Sequence, residues 1–137
     1  MAEFIFKHIV EINGTSLFFE VASAATSREE IGNDIYPPAK HILTMHGIPF
    51  NSRSARQMTK ADYDYYDHII LMDRNNIRNF IRMFGKPSSK VKLLMDFTGR
   101  PGDVSDPWYS GDFETAYSDI HEGCMGLYKF LLKDAEK

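Results

Sequence analysis

Three features of the chain predict an α/β domain built in three layers, a mostly parallel sheet with helices on both faces. Apolar residues recur at helical spacing in several stretches, short apolar runs of strand length stand between them, and the two kinds of segment alternate along the chain. A strand followed by a helix returns to the same end of the sheet. Its successor then runs parallel, and a sheet covered twice needs strands that are apolar on both sides.

Residues 2–12 place Ile5, Ile9 and Ile12 on one stripe with Phe6 and Val10 beside it, and put Glu3, Lys7 and Glu11 on the other face at i,i+4 steps, which predicts a helix. Asn13-Gly14 supplies its stop, and Leu17-Phe18-Phe19-Glu20-Val21-Ala22 reads as a short buried strand entering a turn of small residues. Pro37-Pro38 starts the next helix, which carries Ala39, Ile42, Leu43 and Met45 and ends at Gly47. A second strand is predicted at His68-Ile69-Ile70-Leu71-Met72, bounded by Asp67 and Asp73. Asp73 is then the N-cap of a helix through Asn76, Ile77, Phe80, Ile81 and Phe84, closed by Gly85 and Pro87. Val91 to Met95 gives a third strand, and Gly99-Arg100-Pro101-Gly102 marks a loop leading to Asp106. From Phe113 to about Leu132, Phe113, Ala116, Tyr117, Ile120, Cys124, Leu127, Phe130 and Leu131 keep close to the 3.6-residue period of a long helix. No repeat, low-complexity tract or linker interrupts the series, so residues 1–137 read as one domain.

Composition narrows the function classes. The chain has 137 residues, 43% hydrophobic and 26% charged, enough to bury about two thirds of the unfolded surface. Its net charge of −3, with Lys and Arg scattered among acids, gives no basic field for a nucleic-acid backbone. No apolar run approaches the length of a membrane span, and a single cysteine, Cys124, excludes an internal disulfide framework. With no signal peptide either, the expected location is cytoplasmic. His8, His41, His46, His68 and His121 show no metal-ligand spacing, and no glycine-rich nucleotide loop is present, so neither a metal nor a cofactor is implied. Cys124 lies within an amphipathic helix, followed six residues on by Phe130 rather than an arginine, and reads as a buried small hydrophobe.

Five short motifs follow one another along the chain: Ser23-Ala24-Ala25-Thr26-Ser27, His46-Gly47-Ile48-Pro49, Ala55-Arg56-Gln57, Met72-Asp73 and Asp106-Pro107-Trp108-Tyr109. In order and approximate spacing they resemble the low-molecular-weight protein tyrosine phosphatases. The resemblance covers essentially the whole chain and implies the phosphotyrosine phosphatase I-like fold. It also implies hydrolysis of a phosphotyrosine protein or a small phosphomonoester through a cysteinyl-phosphate intermediate. That family carries its nucleophile in a Cys-x5-Arg-Ser loop immediately before a segment reading Pro-Met-Ala-Glu, whereas this chain opens on Met1-Ala2-Glu3. The expectation is a domain without its central first strand and phosphate-binding loop, inactive as it stands.

The resemblance assigns the remaining site residues one by one. Asp106 matches the general acid, which protonates the leaving oxygen; in isolation Asp-Pro would only start a turn, and the four preceding motifs raise it above that. Trp108 and Tyr109 match the aromatic pair that packs on a phosphotyrosine ring, a task suited to flat, stiff apolar faces. Glu29 stands about where many relatives place another aromatic, and a carboxylate there disfavours an acidic phosphopeptide. Ser23 and Ser27 fall in the turn that supports the phosphate loop, and Arg53 takes the position of a histidine in the same network. The cluster of Tyr63, Tyr65 and Tyr66 among Asp62, Asp64 and Asp67 reads as a solvated turn or as a family segment that can be phosphorylated.

An alternative to the enzyme is a non-catalytic module that binds a phosphorylated or acidic partner through the remaining cleft. An arsenate reductase of the same fold would need further cysteines. Loss of a central strand predicts either that Phe4-Ile5-Phe6-Lys7-His8-Ile9-Val10 becomes extended and fills the gap, or that two chains pair edges or exchange elements as a homodimer. The conservative alternative keeps residues 2–12 helical, with the sheet reduced to three strands that close up.

Overall fold

The longest element is a helix near the C-terminus, and most of the chain is arranged around it. The structure, a computed structural model, describes residues 1–27 and 32–135, without side-chain placement for Trp108, Tyr109 and Ala135. Helix α1 covers Ala2–Ile12, α2 Pro37–Met45, α3 Lys60–Tyr65, α4 Arg74–Phe84, α5 Pro107–Ser110 and α6 Phe113–Ala135. Strands β1, Ile69–Leu71, and β2, Val91–Leu93, pair in parallel with Ile70 opposite Lys92. A parallel bridge between Ala25 and Gln57 adds one further point of pairing.

Strand β1 shows why the sheet is covered on both sides. Ile69 and Leu71 belong to a core formed with Met58 and Phe80, and with Ile77 and Phe84 of α4. The alternate residues Ile70 and Met72 pack instead on the core of α1, α2 and α6. Successive strand side chains point to opposite faces, so one short apolar run feeds two cores. Helix α4 begins where Asp73 Oδ1 accepts the Asn76 N–H at 2.7 Å, and it ends at Gly85, whose φ of +82° suits a residue without a Cβ.

Residues 2–12 are helical, so the extended gap-filling state does not form; the three closed-up strands of the conservative alternative do not form either, since the ladder among the described residues has two strands. The reason is packing. As a helix the segment buries Phe4, Ile5, Phe6, Ile9 and Val10 in the α6 core, with the Phe6 ring edge-on to Phe19 and Tyr128, whereas an extended chain would split them between two faces. The strand predicted at Leu17–Ala22 is also absent. Ser16–Phe18 forms a 3₁₀ turn, Leu17 and Phe18 are 98% and 81% exposed, and Phe19 and Val21 pack against the core. Extended geometry begins at Phe19 but meets no ladder among the described residues, and a strand without a partner leaves its polar groups to water. The third predicted strand stops two residues early, because Leu94–Phe97 tightens into a 3₁₀ turn whose Asp96 carboxylate accepts the Leu93 N–H at 3.3 Å. The tyrosine cluster expected in a solvated turn is helix α3, started by Thr59 and Asp62 in a reciprocal capping box.

The 3₁₀ turn reaches α6 because of two glycines. A Cβ on Gly126 would fall far inside van der Waals contact of the Phe97 carbonyl oxygen, while one on Gly123 would meet the Leu94 side chain at 2.5 Å. In an open helix, glycine to alanine gains about 1 kcal/mol of propensity, whereas overpacking costs about 1–3 kcal/mol and a rigid carbonyl gives way less than a leucine. We expect Gly126→Ala to lower stability by about 1–2 kcal/mol in chemical denaturation, and Gly123→Ala to lose less. A Gly126→Ala variant as stable as its parent would disprove the close approach.

Candidate active site

Open α/β sheets present ligand crevices at the carboxyl ends of their parallel strands. Here that end is Met72-Asp73, and three segments are tied to it. Asn76 Oδ1 accepts the Met72 N–H at 3.0 Å while Asn76 Nδ2 donates to Thr26 Oγ1 at 3.3 Å, which joins the start of α4 to the turn of residues 23–27. That turn is itself held by the Ala25 N–H on Arg56 O at 2.7 Å and the Met58 N–H on Ala25 O at 2.8 Å. From the other side the Val104 N–H donates to Met72 O at 2.9 Å, and the Arg74 N–H donates to Asp103 Oδ1 at 3.0 Å. The Ser-Ala-x-Thr-Ser turn, the Met-Asp step and the segment entering Asp-Pro, distant in sequence, are therefore brought together at the carboxyl end of β1, where such a fold presents its crevice.

Asp106 is exposed, two residues beyond Val104 and immediately before α5, with Pro107 at the first helical position. After α5, Asp112 accepts the Thr115 N–H at 2.9 Å and so caps α6, and the acid segment passes directly into the main helix. An exposed carboxyl group beside a crevice can deliver a proton to an oxygen bound there. Trp108 and Tyr109 belong to α5, their side chains outside the described part of the structure, and Glu29 lies outside the described residues.

The support residues converge on a group that the sequence did not single out. Glu3, placed by periodicity on the polar face of α1, is 8% exposed. Ser23 Oγ donates to its Oε1 at 2.7 Å, Arg53 reaches Oε2 at 2.7 Å and Oε1 at 3.3 Å, and Lys7 closes an i,i+4 ion pair. The Arg53 guanidinium also lies 4.7 Å from the centre of the Phe4 ring, and its backbone N–H donates to Asp34 Oδ1 at 2.7 Å. Arg53 is thus a donor in this network rather than a solvated charge. Ser27, half-buried, makes no side-chain bond to Glu3 or Arg53 among the described residues. The i,i+4 step from Glu3 to Lys7 is the one local signal; burial depends on Ser23 and Arg53, which are remote in sequence.

The other motifs are structural fastenings. His46 stacks on Tyr117 at 3.8 Å and bonds Glu114 at 2.5 Å, pinning the end of α2 to α6. Arg56 forks onto Asp62 at 2.7 and 3.2 Å and anchors α3. Cys124 is 1% exposed within α6, and burial pushes its thiol up to about 12, far from a thiolate nucleophile.

Burial pushes the Glu3 carboxyl up, but hydrogen bonds from Arg53, Lys7 and Ser23 outweigh it and hold the group at about 2, against an ordinary 4.5. A folded-state value below the unfolded one means that the stabilisation is complete above about 4.5 and is lost as the pH falls toward about 2. A lowering of that size is worth on the order of 3 kcal/mol. We expect Glu3→Gln to be less stable than the parent near neutral pH by a few kcal/mol, with the difference closing as the pH drops through that window in urea titrations. A difference independent of pH would assign the effect to packing instead.

Comparison with known proteins accords with this arrangement. A family profile described as low molecular weight phosphotyrosine protein phosphatase matches residues 1–137. The Bacillus subtilis low molecular weight protein-tyrosine-phosphatase YfkJ is 34% identical, over 99% of this chain and 89% of its own length, and the human low molecular weight phosphotyrosine protein phosphatase is 35% identical over 93% and 84%. The crystal structure of YfkJ superposes with a TM-score of 0.91 over 97% of this chain and 86% of that one; that of SP-PTP from Streptococcus pyogenes, 35% identical, gives 0.84 over 95% and 82%. The chain belongs to the low-molecular-weight phosphotyrosine protein phosphatase family.

Proposed function

We propose that these residues form the acid and substrate-binding side of a phosphotyrosine phosphatase site, with Asp106 as general acid, and that residues 1–137 by themselves do not turn over. The observation that supports the acid assignment is that Asp106, exposed, directly follows the segment tied to Met72 and Arg74 at the carboxyl end of β1. In the reaction the family performs, a thiolate attacks phosphorus, the bond to the leaving oxygen breaks, and the acid supplies the proton that this oxygen takes up. The 137 residues contain one cysteine, and Cys124 is buried as a thiol with no Cys-x5-Arg-Ser sequence around it. The chain therefore supplies the proton donor but not the nucleophile.

The rest of the reading follows from the crevice. Trp108 and Tyr109, directly after the acid, are the walls for a phosphorylated aromatic ring, and Glu29 weighs against acidic flanking residues in a protein substrate. Ser23 and Arg53 act through Glu3, fixing the start of α1 where the family's phosphate loop ends. No helix among the described residues is long and apolar enough to cross a membrane. A cytoplasmic location is part of the same proposal, supported by a single, free and buried cysteine. The lack of a Cys-x5-Arg-Ser sequence within residues 1–137 favours one second reading, a phosphate-binding module without turnover.

Assays on p-nitrophenyl phosphate and phosphotyrosine separate these readings. We expect residues 1–137 to show background hydrolysis, and a version carrying Cys-x5-Arg-Ser ahead of Met1 to turn over. In that version Asp106→Asn should lower kcat on phosphotyrosine by on the order of 100-fold with little change in KM, since the phenolate then departs unprotonated. Turnover by residues 1–137 within about tenfold of the extended version would refute the division of labour. An extended version that stays inactive would favour the binding module.

A further inference from the structure

Three consecutive residues ahead of the acid are tied to three different elements: Asp103 to the start of α4, Val104 to the end of β1, and Ser105 to α6. The third tie runs through Asp119, which is 7% exposed. Its Oδ2 accepts the Ser105 N–H at 3.0 Å, and its Oδ1 accepts from Arg100 Nη2 at 3.0 Å. Arg100 stands where the loop begins and Ser105 is the residue before Asp106, so one carboxylate holds both ends of the loop against α6. Arg100 is steadied by Glu122, one turn along the helix, at 2.9 Å. A buried carboxylate without such partners would be costly, and its two oxygens are spent on backbone and cation of the same loop.

We propose that Asp119, with Arg100, is a positioning residue that sets where Asp106 stands. The proposal rests on Asp106 being the acid, but the geometry that it fixes is a property of the loop alone. Asp119 lies on the side of α6 that carries Gly123 and Gly126, flanking the apolar face of Tyr117, Ile120 and Cys124, and it is buried there with both oxygens bonded to the loop. Asparagine discriminates the role: it keeps the size of the side chain but has one acceptor oxygen, so it cannot serve Ser105 and Arg100 together, and its NH₂ opposes whichever donor it faces.

The test uses amide hydrogen exchange on residues 1–137 and the fluorescence of Trp108, the only tryptophan of the chain, two residues beyond Asp106. Asp119→Asn should speed exchange at Ser105 by at least about tenfold and alter acrylamide quenching of Trp108, while core amides of α6 such as Cys124 keep their protection. Arg100→Gln should act in the same direction, and the double variant should exceed Asp119→Asn little, because both changes release one staple. Unchanged exchange at Ser105, or acceleration there only in step with the α6 core, would overturn the proposal. In the extended enzyme, Asp119→Asn should lower kcat rather than raise KM, and should cost nothing further in an Asp106→Asn background. Loosening of Ser105 with full turnover, or a kcat loss that persists without Asp106, would overturn the positioning role, whereas full turnover of Asp106→Asn itself would refute Asp106 as the acid.

Discussion

The apolar face of α6 is the constraint on which the other elements depend. Ala116, Tyr117, Ile120, Cys124, Leu127 and Tyr128 are all buried there, and α1, the end of α2, and the Leu94–Phe97 turn pack on that helix. Burial at roughly 25 cal/mol per Å² of apolar surface makes such a face the dominant favourable term in the fold. The sheet is too small to play this part: two strands of three residues form the only ladder among the described residues. Glycine at 123 and 126 lets the 3₁₀ turn lie against the helix.

Charge is used sparingly inside this frame, and in one place. The buried acids among the described residues are Glu3 and Asp119, and both spend their oxygens on segments that border the crevice. Glu3 gathers Ser23 and Arg53 from the turn side; Asp119 gathers Arg100 and Ser105 from the acid side. A buried ion pair adds little net stability over a well-packed hydrophobic pair, but removing one partner is costly, so each carboxylate enforces one geometry. The crevice between them is framed by rigid ties, while the proposed acid, Asp106, is left exposed.

Elements specified by local sequence are legible in the chain itself. The apolar stripe of α1, the Asp73 cap and Gly85 stop of α4, and the long periodicity of α6 all appear where the residues place them, because a helix satisfies its hydrogen bonds within the segment. The order of the motifs likewise identifies the family and points to Asp106.

What the tertiary structure decided concerns groups whose partners are remote. Leu17–Ala22 has strand composition but finds no ladder, and Val91–Met95 gives up its last residues to a turn drawn onto α6. Glu3 reads as an ordinary polar position on an amphipathic helix and Asp119 carries no sequence signal, yet both are buried, because Arg53 and Arg100 arrive from loops remote in the chain. Sequence alone determined α1, α2, α4 and α6 and the family and singled out the proposed acid, since periodicity, caps and motif order are local. The extent of the sheet and the two carboxylate clamps were settled only by the folded chain, because strands and buried charges are stable only when a distant segment supplies the other half of the bond.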